Sequence, residues 1–458
     1  MNLSSANLRT DSLALFQTGL AAADPRDAVR QCLRVDDGTL RIMLDPKHPD
    51  TLRQGQWRNI HLMAIGKAAC AMAEAACEVI PASLLASRPI VVTHYANVRP
   101  NPNFDLLGAG HPLPDAAGVR AAEIVIERLS HTKAGELVLV LLSGGGSALL
   151  PSPADGITLA DKIRITEQLL ASGATIDAIN CVRKHLSKLK GGGLARHAHP
   201  ADVHALILSD VMGDDPSAIA SGPTVADATT FADAIAVLQN HGCWQDAPAA
   251  IKHHLQQGAL GLRPETLKAD DPILAGCRHS LIGSNRHSVD AMVEHARALG
   301  YDTTIHAQPL CGEARIIAAA WAADVSRLSA SRTATRSAWV AGGETTVTLG
   351  KTLPGIGGRN QELALAFALA AERHELRGDW CFLSGGSDGC DGPTDAAGAL
   401  VDGGSLHRCR QAGIDPLAAL ADHNAYPALK AAGDLLLTGA TGTNVADLQI
   451  LLMRSTPD

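Results

Sequence analysis

Two kinds of apolar pattern alternate along this chain. Short uninterrupted apolar runs read as buried strands, and stretches whose apolar positions recur every three or four residues read as helices. Residues 11–34 have the helical period. Ile60–Ile65 is a strand that stops at Gly66, with a helix expected over Lys67–Ile80. Ile90–Thr93 is a strand, Ala116–Leu129 a helix and Leu137–Leu142 a strand. Helices over Leu159–Leu170 and Thr175–Lys190 lead to a strand at Val203–Leu208. After residue 280 the alternation resumes: a strand at Ser280–Gly283, a helix over Ser288–Leu299 and a strand at Asp302–His306. Next come a helix over Glu313–Leu328, strands within Ala338–Leu349 and a helix over Asn360–Ala371. Strands at Trp380–Leu383, Asp434–Leu437 and Leu448–Leu452 close the series. Strands joined by helical crossovers predict an α/β chain with mostly parallel sheet.

The pattern is patchy over His241–Asp271, where Trp244, Pro248 and Pro264 fall. The expected organisation is therefore an N-terminal Rossmann-like domain over 1–250, a linker over 251–272 and a C-terminal α/β domain over 273–458, with a cleft between the domains. A length of 458 residues suits two or three domains. The 46% hydrophobic content, 43 glycines and 3% aromatics suit cores built from small aliphatic residues. A net charge of -8 argues against a nucleic-acid binder. None of the ten cysteines forms a C-x-x-C pair, so reduced, buried thiols are expected. No basic-then-apolar start and no apolar run of membrane-spanning length is visible, so the expectation is a soluble, cytoplasmic protein, monomer or homodimer.

Two glycine turns change the picture. Leu137–Leu142 runs into Ser143-Gly-Gly-Gly-Ser147, and the strand around Cys381 runs into Ser384-Gly-Gly-Ser-Asp-Gly389. Glycine-rich turns after strands bring backbone N–H groups close to anions, so Ser143, Gly144, Gly145, Gly146 and Ser147 are candidates to hold phosphate. The second turn adds Asp388, Asp391 and Asp395, carboxylates suited to a hard cation such as Mg²⁺. Either turn is also readable as an ordinary strand-to-helix connection.

Isolated residues sharpen this. Lys67 and Arg359 each stand at the start of a helix, where the dipole disfavours a cation unless an anion is also present. Asp210 follows the Val203–Leu208 strand, where ligands of open α/β sheets collect, and could hold a substrate hydroxyl or Mg²⁺. Asp214 and Asp215 support it or shape the turn before Pro216. Asn180, Arg183, Lys184 and Ser187 fall at helical spacing, followed by Lys190, and either guide anions or form a solvated helix end. Glu344 sits in a strand-edge turn and Thr441 among the small hydroxyls of Thr438–Asn444. No Walker-type P-loop, no dinucleotide fingerprint and no H-E-x-x-H spacing occurs.

An ordered set of motifs adds a resemblance. It comprises Gly66-Lys-Ala-Ala69, Gly110-His-Pro-Leu-Pro-Asp115, Ser143-Gly-Gly-Gly-Ser-Ala148, Lys190-Gly-Gly192, Ser209–Asp214, Ser221-Gly-Pro-Thr224, Gly312–Arg315, Gly357–Leu363, Ser387–Ala397 and Thr441–Asn444. The chain resembles the bacterial-type glycerate 2-kinases with a C-terminal MOFRL domain, a group whose relatives are also called hydroxypyruvate reductases. The resemblance implies ATP- and Mg²⁺-dependent phosphorylation of D-glycerate at the 2-hydroxyl, giving 2-phosphoglycerate and ADP. It implies Lys67, Asp210 and Arg359 as the reactive core, with Asp388 and Asp391 toward the metal. NAD(P)H-dependent hydroxypyruvate reduction and a non-catalytic sugar-acid or nucleotide sensor are the alternative readings. Thr438-Gly-Ala-Thr441 and Thr443-Asn-Val-Ala446 depart from the family pattern in the last loops.

Overall fold

Segments with no polar face must be covered on both sides. Ile60–Ile65 and Leu137–Leu142 duly become neighbouring strands with every residue buried. A computed structural model describes residues 3–45, 48–329, 336–350 and 355–455. The chain divides into two compact units, residues 25–282 and residues 1–24 with 283–458.

The first helices are α1 (Leu3–Ala21) and α2 (Pro25–Cys32). Within residues 25–282, β1 (Leu33–Asp36), β2 (Thr39–Met43) and β3 (Leu52–Gln54) form a small antiparallel sheet. A six-stranded sheet follows from β4 (Ile60–Ile65), β5 (Ile90–His94), β6 (Asp105–Ala109), β7 (Leu137–Leu142), β8 (Asp202–Leu208) and β9 (Cys277–Gly283). Its order is β6-β5-β4-β7-β8-β9, and the pairs from β6 through β8 are all parallel. The chain runs outward from β4 to β6, then returns to the other side of β4 with β7. The strand order therefore reverses between β4 and β7, where the loops at the strands' carboxyl ends part and leave a crevice.

The connections are α3 (Ala69–Val79), α4 (Ala116–Ser130), the short α5 (Gly146–Leu149), α6 (Leu159–Ala171), α7 (Ile176–His185) and α8 (Gly193–Ala198), with α9 (Phe231–Asn240) and α10 (Ala249–Ala259) between β8 and β9. Ile65, Val140, Val203 and Ile207 pack with Val125 and Leu129 of α4 and Leu194 of α8. A second cluster joins Leu169, Val182, Phe231, Leu238, Ile251 and Leu255. The stretch 251–272, expected to be a linker, is thus part of this unit. Ile251, Leu255 and Leu267 are fully buried, and Leu267 bonds through its backbone to Gly191 (3.1 Å) and Asp227 (2.8 Å). Its proline and glycines punctuate a packed segment.

The other unit continues with α11 (Asn285–Ala298), β10 (Asp302–Ile305), β11 (Leu310–Glu313), α12 (Ala314–Ser329), β12 (Arg336–Thr346), α13 (Arg359–Arg373), β13 (Asp379–Gly386), β14 (Gly398–Asp402), α14 (Ser405–Gln411), α15 (Pro416–Ala421), α16 (Ala425–Ala432), β15 (Leu435–Leu436) and β16 (Asp447–Arg454). The sheet runs β10-β12-β16-β13-β14-β15 with β11 beside β12; it is mixed, because β16 lies antiparallel to both β12 and β13. Side chains alternate between its faces. Trp339, Phe382 and Leu451 point into a core with α12, α13 and α16, and Val340, Leu383 and Ile450 into a core with α1 and α11. Leu8, Leu15 and Phe16 of α1 are fully buried there. The expected span 1–250 therefore needs a correction at its start, since the first helix completes the face of a sheet made by the end of the chain.

Candidate functional site

The crevice of the 25–282 unit is floored by two loops tied together through their backbones. Ser143 N–H donates to Ile65 C=O at 2.9 Å and Lys67 N–H to Gly144 C=O at 2.9 Å. Ala68 N–H donates to Ser143 Oγ at 3.1 Å. Gly66 allows this approach. Its φ is +133°, and a Cβ there would fall 2.2 Å from Ser143 Oγ. Lys67 stands in the turn just ahead of α3 rather than inside the helix, because the helix begins at Ala69.

Asp210 closes over this floor from the end of β8. A Cβ on Gly144 would lie 2.1 Å from Asp210 Oδ2, so only glycine leaves room for the carboxylate. A Cβ on Gly145 would meet His111 Cδ2 at 3.0 Å and Lys67 Cγ at 3.5 Å. Lys67, Gly144, Gly145, Asp210 and His111 thus share one small space. Burial pushes the Asp210 carboxyl above the usual carboxylate range, while the Lys67 charge pulls the other way. Burial, with repulsion from Lys67 and His94, lowers His111 to about 4, so its imidazole is neutral at physiological pH. His94 lies edge-on to it at 6.1 Å. Neither histidine stands out in the sequence beyond the Gly110–Asp115 motif; both become visible only when β5 and the loop after β6 are placed together.

Ser147, the last residue of the glycine turn, and Lys190 bond to each other. The buried Lys190 ammonium donates to Ser147 C=O and Oγ, both at 2.9 Å. Lys190 thereby braces the glycine turn. The helix expected to run to Lys190 ends at His185, so this contact comes from the loop that follows. Asp215 caps its own turn, accepting from Ser217 N–H and Oγ at 2.8 Å each. Asp214 adopts a positive φ of 56° in the same turn.

In the other unit, Arg359 opens α13 as expected, but its fork is engaged. Nε and Nη2 donate to Asp447 at 2.7 and 2.9 Å, and Nη1 lies 3.1 Å from Glu344 Oε1. Strand register explains the grouping: Asp447 opens β16 opposite Gly343 of β12, next to Glu344, and opposite Gly386 of β13. Asp447 is fully buried, and burial notwithstanding, Asp447 and Glu344 hold the Arg359 charge firmly in place. Of five guanidinium N–H groups, three are taken among the described residues.

Asp391, a metal ligand on the sequence expectation, has another task. Its oxygens accept the Asn360 N–H (3.1 Å) and Gln361 N–H (2.9 Å) at the start of α13, so it caps that helix from a distant loop. It is buried. Asp388 turns onto its own loop, accepting from Cys390 N–H at 3.1 Å, and Asp395 accepts from Tyr426 Oη at 2.7 Å. Thr441 donates its hydroxyl to Ser387 C=O, joining the two last loops. Among the described residues no group of three carboxylate, imidazole or thiolate side chains could hold a metal. The Asp388–Asp391 pair does not fit a resident cation, since one member is spent as a helix cap.

A glycine turn beside a lysine and a half-buried carboxylate, at the switch point of a parallel sheet, is the equipment of an enzyme that handles small anionic molecules. Comparison with known proteins narrows this class. Residues 11–256 match a domain of unknown function, DUF4147, and residues 337–447 match the MOFRL family. The chain is 38% identical over 452 residues to a glycerate 2-kinase of Pyrococcus horikoshii, covering 98% of each protein. It is 42% identical over 441 residues to a putative hydroxypyruvate reductase of Agrobacterium vitis, covering 96% of this chain and 93% of that one. The crystal structure of a glycerate kinase from Thermotoga maritima superposes with a TM-score of 0.83 at 36% identity, covering 98% and 100% of the two chains. The chain belongs to the glycerate 2-kinase family.

Proposed function

We propose that this protein is an ATP-dependent kinase that phosphorylates D-glycerate at its 2-hydroxyl, releasing 2-phosphoglycerate and ADP. The observation that carries the reading is the packing of the Asp210 carboxylate against Gly144 within reach of the Lys67 charge. Full-length similarity to glycerate kinases supports the substrate.

On this reading Asp210 accepts the hydroxyl proton, helped by a carboxyl whose burial brings it toward neutral pH. Lys67 neutralises charge developing on the transferred group, and the Gly144–Gly146 amides receive anionic oxygens. His111, neutral beside Lys67, orients a substrate oxygen without adding charge. ATP would supply the phosphoryl group, and Mg²⁺ would accompany its phosphates. Arg359 is proposed to meet anionic charge with the N–H groups that Asp447 and Glu344 leave.

The test is ADP release with D-glycerate in a coupled assay. Asp210→Asn should lower turnover by about 10²- to 10⁴-fold, the span of general-base catalysis. Lys67→Ala should do likewise while folding normally, because the hydrogen bonds that fix its loop run through the Lys67 backbone. Consumption of NADH with hydroxypyruvate, and no ADP release with glycerate, would establish the reductase reading instead.

A further inference from the structure

One face of α7 and the loop after it reaches both ends of the segment that follows the glycine turn. Asn180 Oδ1 accepts from Ser221 Oγ at 3.0 Å, and Ser221 Oγ lies 2.9 Å from Ser147 Oγ, which the Lys190 ammonium also touches. Seven residues on from Asn180, Ser187 Oγ donates to Pro151 C=O at 3.4 Å, and the buried Lys162 ammonium donates to the same carbonyl. Arg183 stands between these anchor points on that face. Among the described residues its half-buried guanidinium has neither a hydrogen-bond nor an ion-pair partner. No carboxylate among those residues acts on Lys162, Arg183 or Lys190. Their neighbours on the same helix do have acid partners: Lys184 pairs with Asp227 and His185 with Glu265.

Three basic groups with no carboxylate partner among the described residues disfavour charge on one another, and a bound anion would relieve that repulsion. We propose that Arg183, with Lys162 and Lys190, forms a second oxyanion site that takes a phosphate group. The site deepens the kinase reading and rests on it for its physiological ligand. That ligand is the phosphate of the nucleotide or of the phosphorylated hydroxy acid. Arg183 supplies the open fork, and the two lysines, held on the Pro151 and Ser147 carbonyls, supply further charge. Their isolation shows in how they titrate: burial first, then Arg183, lowers Lys162 to about 7, and burial with Arg183 and Lys162 drives Lys190 well below the ordinary lysine value. A dianion would reverse that repulsion more fully than a single carboxylate.

The test is calorimetric titration of the full-length protein with inorganic phosphate, in a Lys67→Met background that takes the lysine charge from the other anion turn. Adding Arg183→Gln should weaken phosphate binding about tenfold or more, the loss of one charge-assisted contact. Because Arg183 has no partner to lose among the described residues, the same change should leave the melting temperature equal or higher. Arg183→Lys, which keeps the charge but loses the fork, should bind phosphate more tightly than Arg183→Gln and more weakly than the background protein. Unchanged phosphate affinity in Arg183→Gln would overturn the site. Should that variant fail to fold, Lys162→Met must lose phosphate affinity relative to the background protein, and unchanged affinity there overturns the site. Displacement of phosphate by ADP assigns the nucleotide, displacement by 2-phosphoglycerate assigns the product, and displacement by neither overturns the proposal. Phosphate binding is read without turnover. An inactive protein that binds phosphate through Arg183 fails only the kinase reading, and an active kinase indifferent to Arg183 fails only this one.

Discussion

Asp447 is fully buried and bonded to Arg359 through two parallel contacts of 2.7 and 2.9 Å. Removing Arg359 therefore does more than remove a charge from the surface. Arg359→Ala leaves a buried carboxylate alone, and we expect a loss on the order of 2–3 kcal/mol, less than a fully buried pair because about a third of the arginine side chain meets solvent. Arg359→Met with Asp447→Asn should recover most of that stability in urea unfolding without recovering turnover. Equal stability of Arg359→Ala and wild type would show that Asp447 does not depend on the arginine. Residue by residue, the sequence discloses what stands beside glycine. Lys67, Asp210 and the Ser143–Ser147 turn share one space in the fold because strand ends and tight turns announce themselves locally. Asp447 and His111 do not, since their partners come from 88 residues away and from a different strand loop. Asp391 misleads for a related reason. A carboxylate in a glycine-rich loop looks alike whether it awaits a cation or caps a distant helix.

Among the elements, α13 shows how far an apolar pattern carries. Its residues 360–368 are all buried, Phe367 stacks on Phe382 at 4.1 Å and meets Trp380 edge-on at 5.7 Å. A helix buried on every side belongs at a domain centre, and the sequence places it within a residue of its observed start. What the pattern cannot contain is its cap. Gly358, at the N-cap position, has no side chain to satisfy the first amides, and Asp391 does so instead. Burial raises the Asp391 carboxyl to about 6, against the pull of the Gln361 and Asn360 amides. The unfolded chain releases this proton near pH 4, so the stability it lends is complete below that pH and is lost as pH rises through 6. A gap of about 2 between the folded and unfolded values corresponds to roughly 2–3 kcal/mol. Asparagine caps well and does not titrate. The stability of wild type relative to Asp391→Asn should thus decline by about that amount between pH 4 and pH 7, and a flat difference would show that the carboxylate is not held proton-bearing. The same limit explains α9, α10 and β14, for which the sequence pattern predicts no element: their signals are short, and tertiary packing completes them.

At the scale of the whole molecule, the parallel sheet and its switch point are legible from the alternation of strands and helices, whereas the division of the chain is not. Sequence order suggests two consecutive domains. The fold instead places residues 25–282 as a continuous insertion within a unit made from both ends of the chain. The sequence marks residues 11–34 as helical, a stretch that becomes the end of α1 and the whole of α2, and says nothing of which sheet buries α1. Deleting residues 1–24 should expose the face of the β12–β16–β13 sheet that Leu8, Leu15 and Phe16 cover, each worth about 1.5–3 kcal/mol. Calorimetry and limited proteolysis of that shortened chain should find the 283–458 region opening at a lower temperature while the 25–282 unit keeps its own transition. Equal loss in both would mean that α1 serves the molecule generally. The position of α1 also has a consequence in time. During synthesis its apolar side leaves the ribosome long before β16, which it packs against; at ordinary elongation rates the wait is roughly 20–90 s. The inserted unit can fold in that interval, so the nascent chain carries a finished α/β body tethered behind an uncovered helix. Substitutions that soften the α1 stripe would protect the growing chain from aggregation and weaken the finished protein by the same contacts.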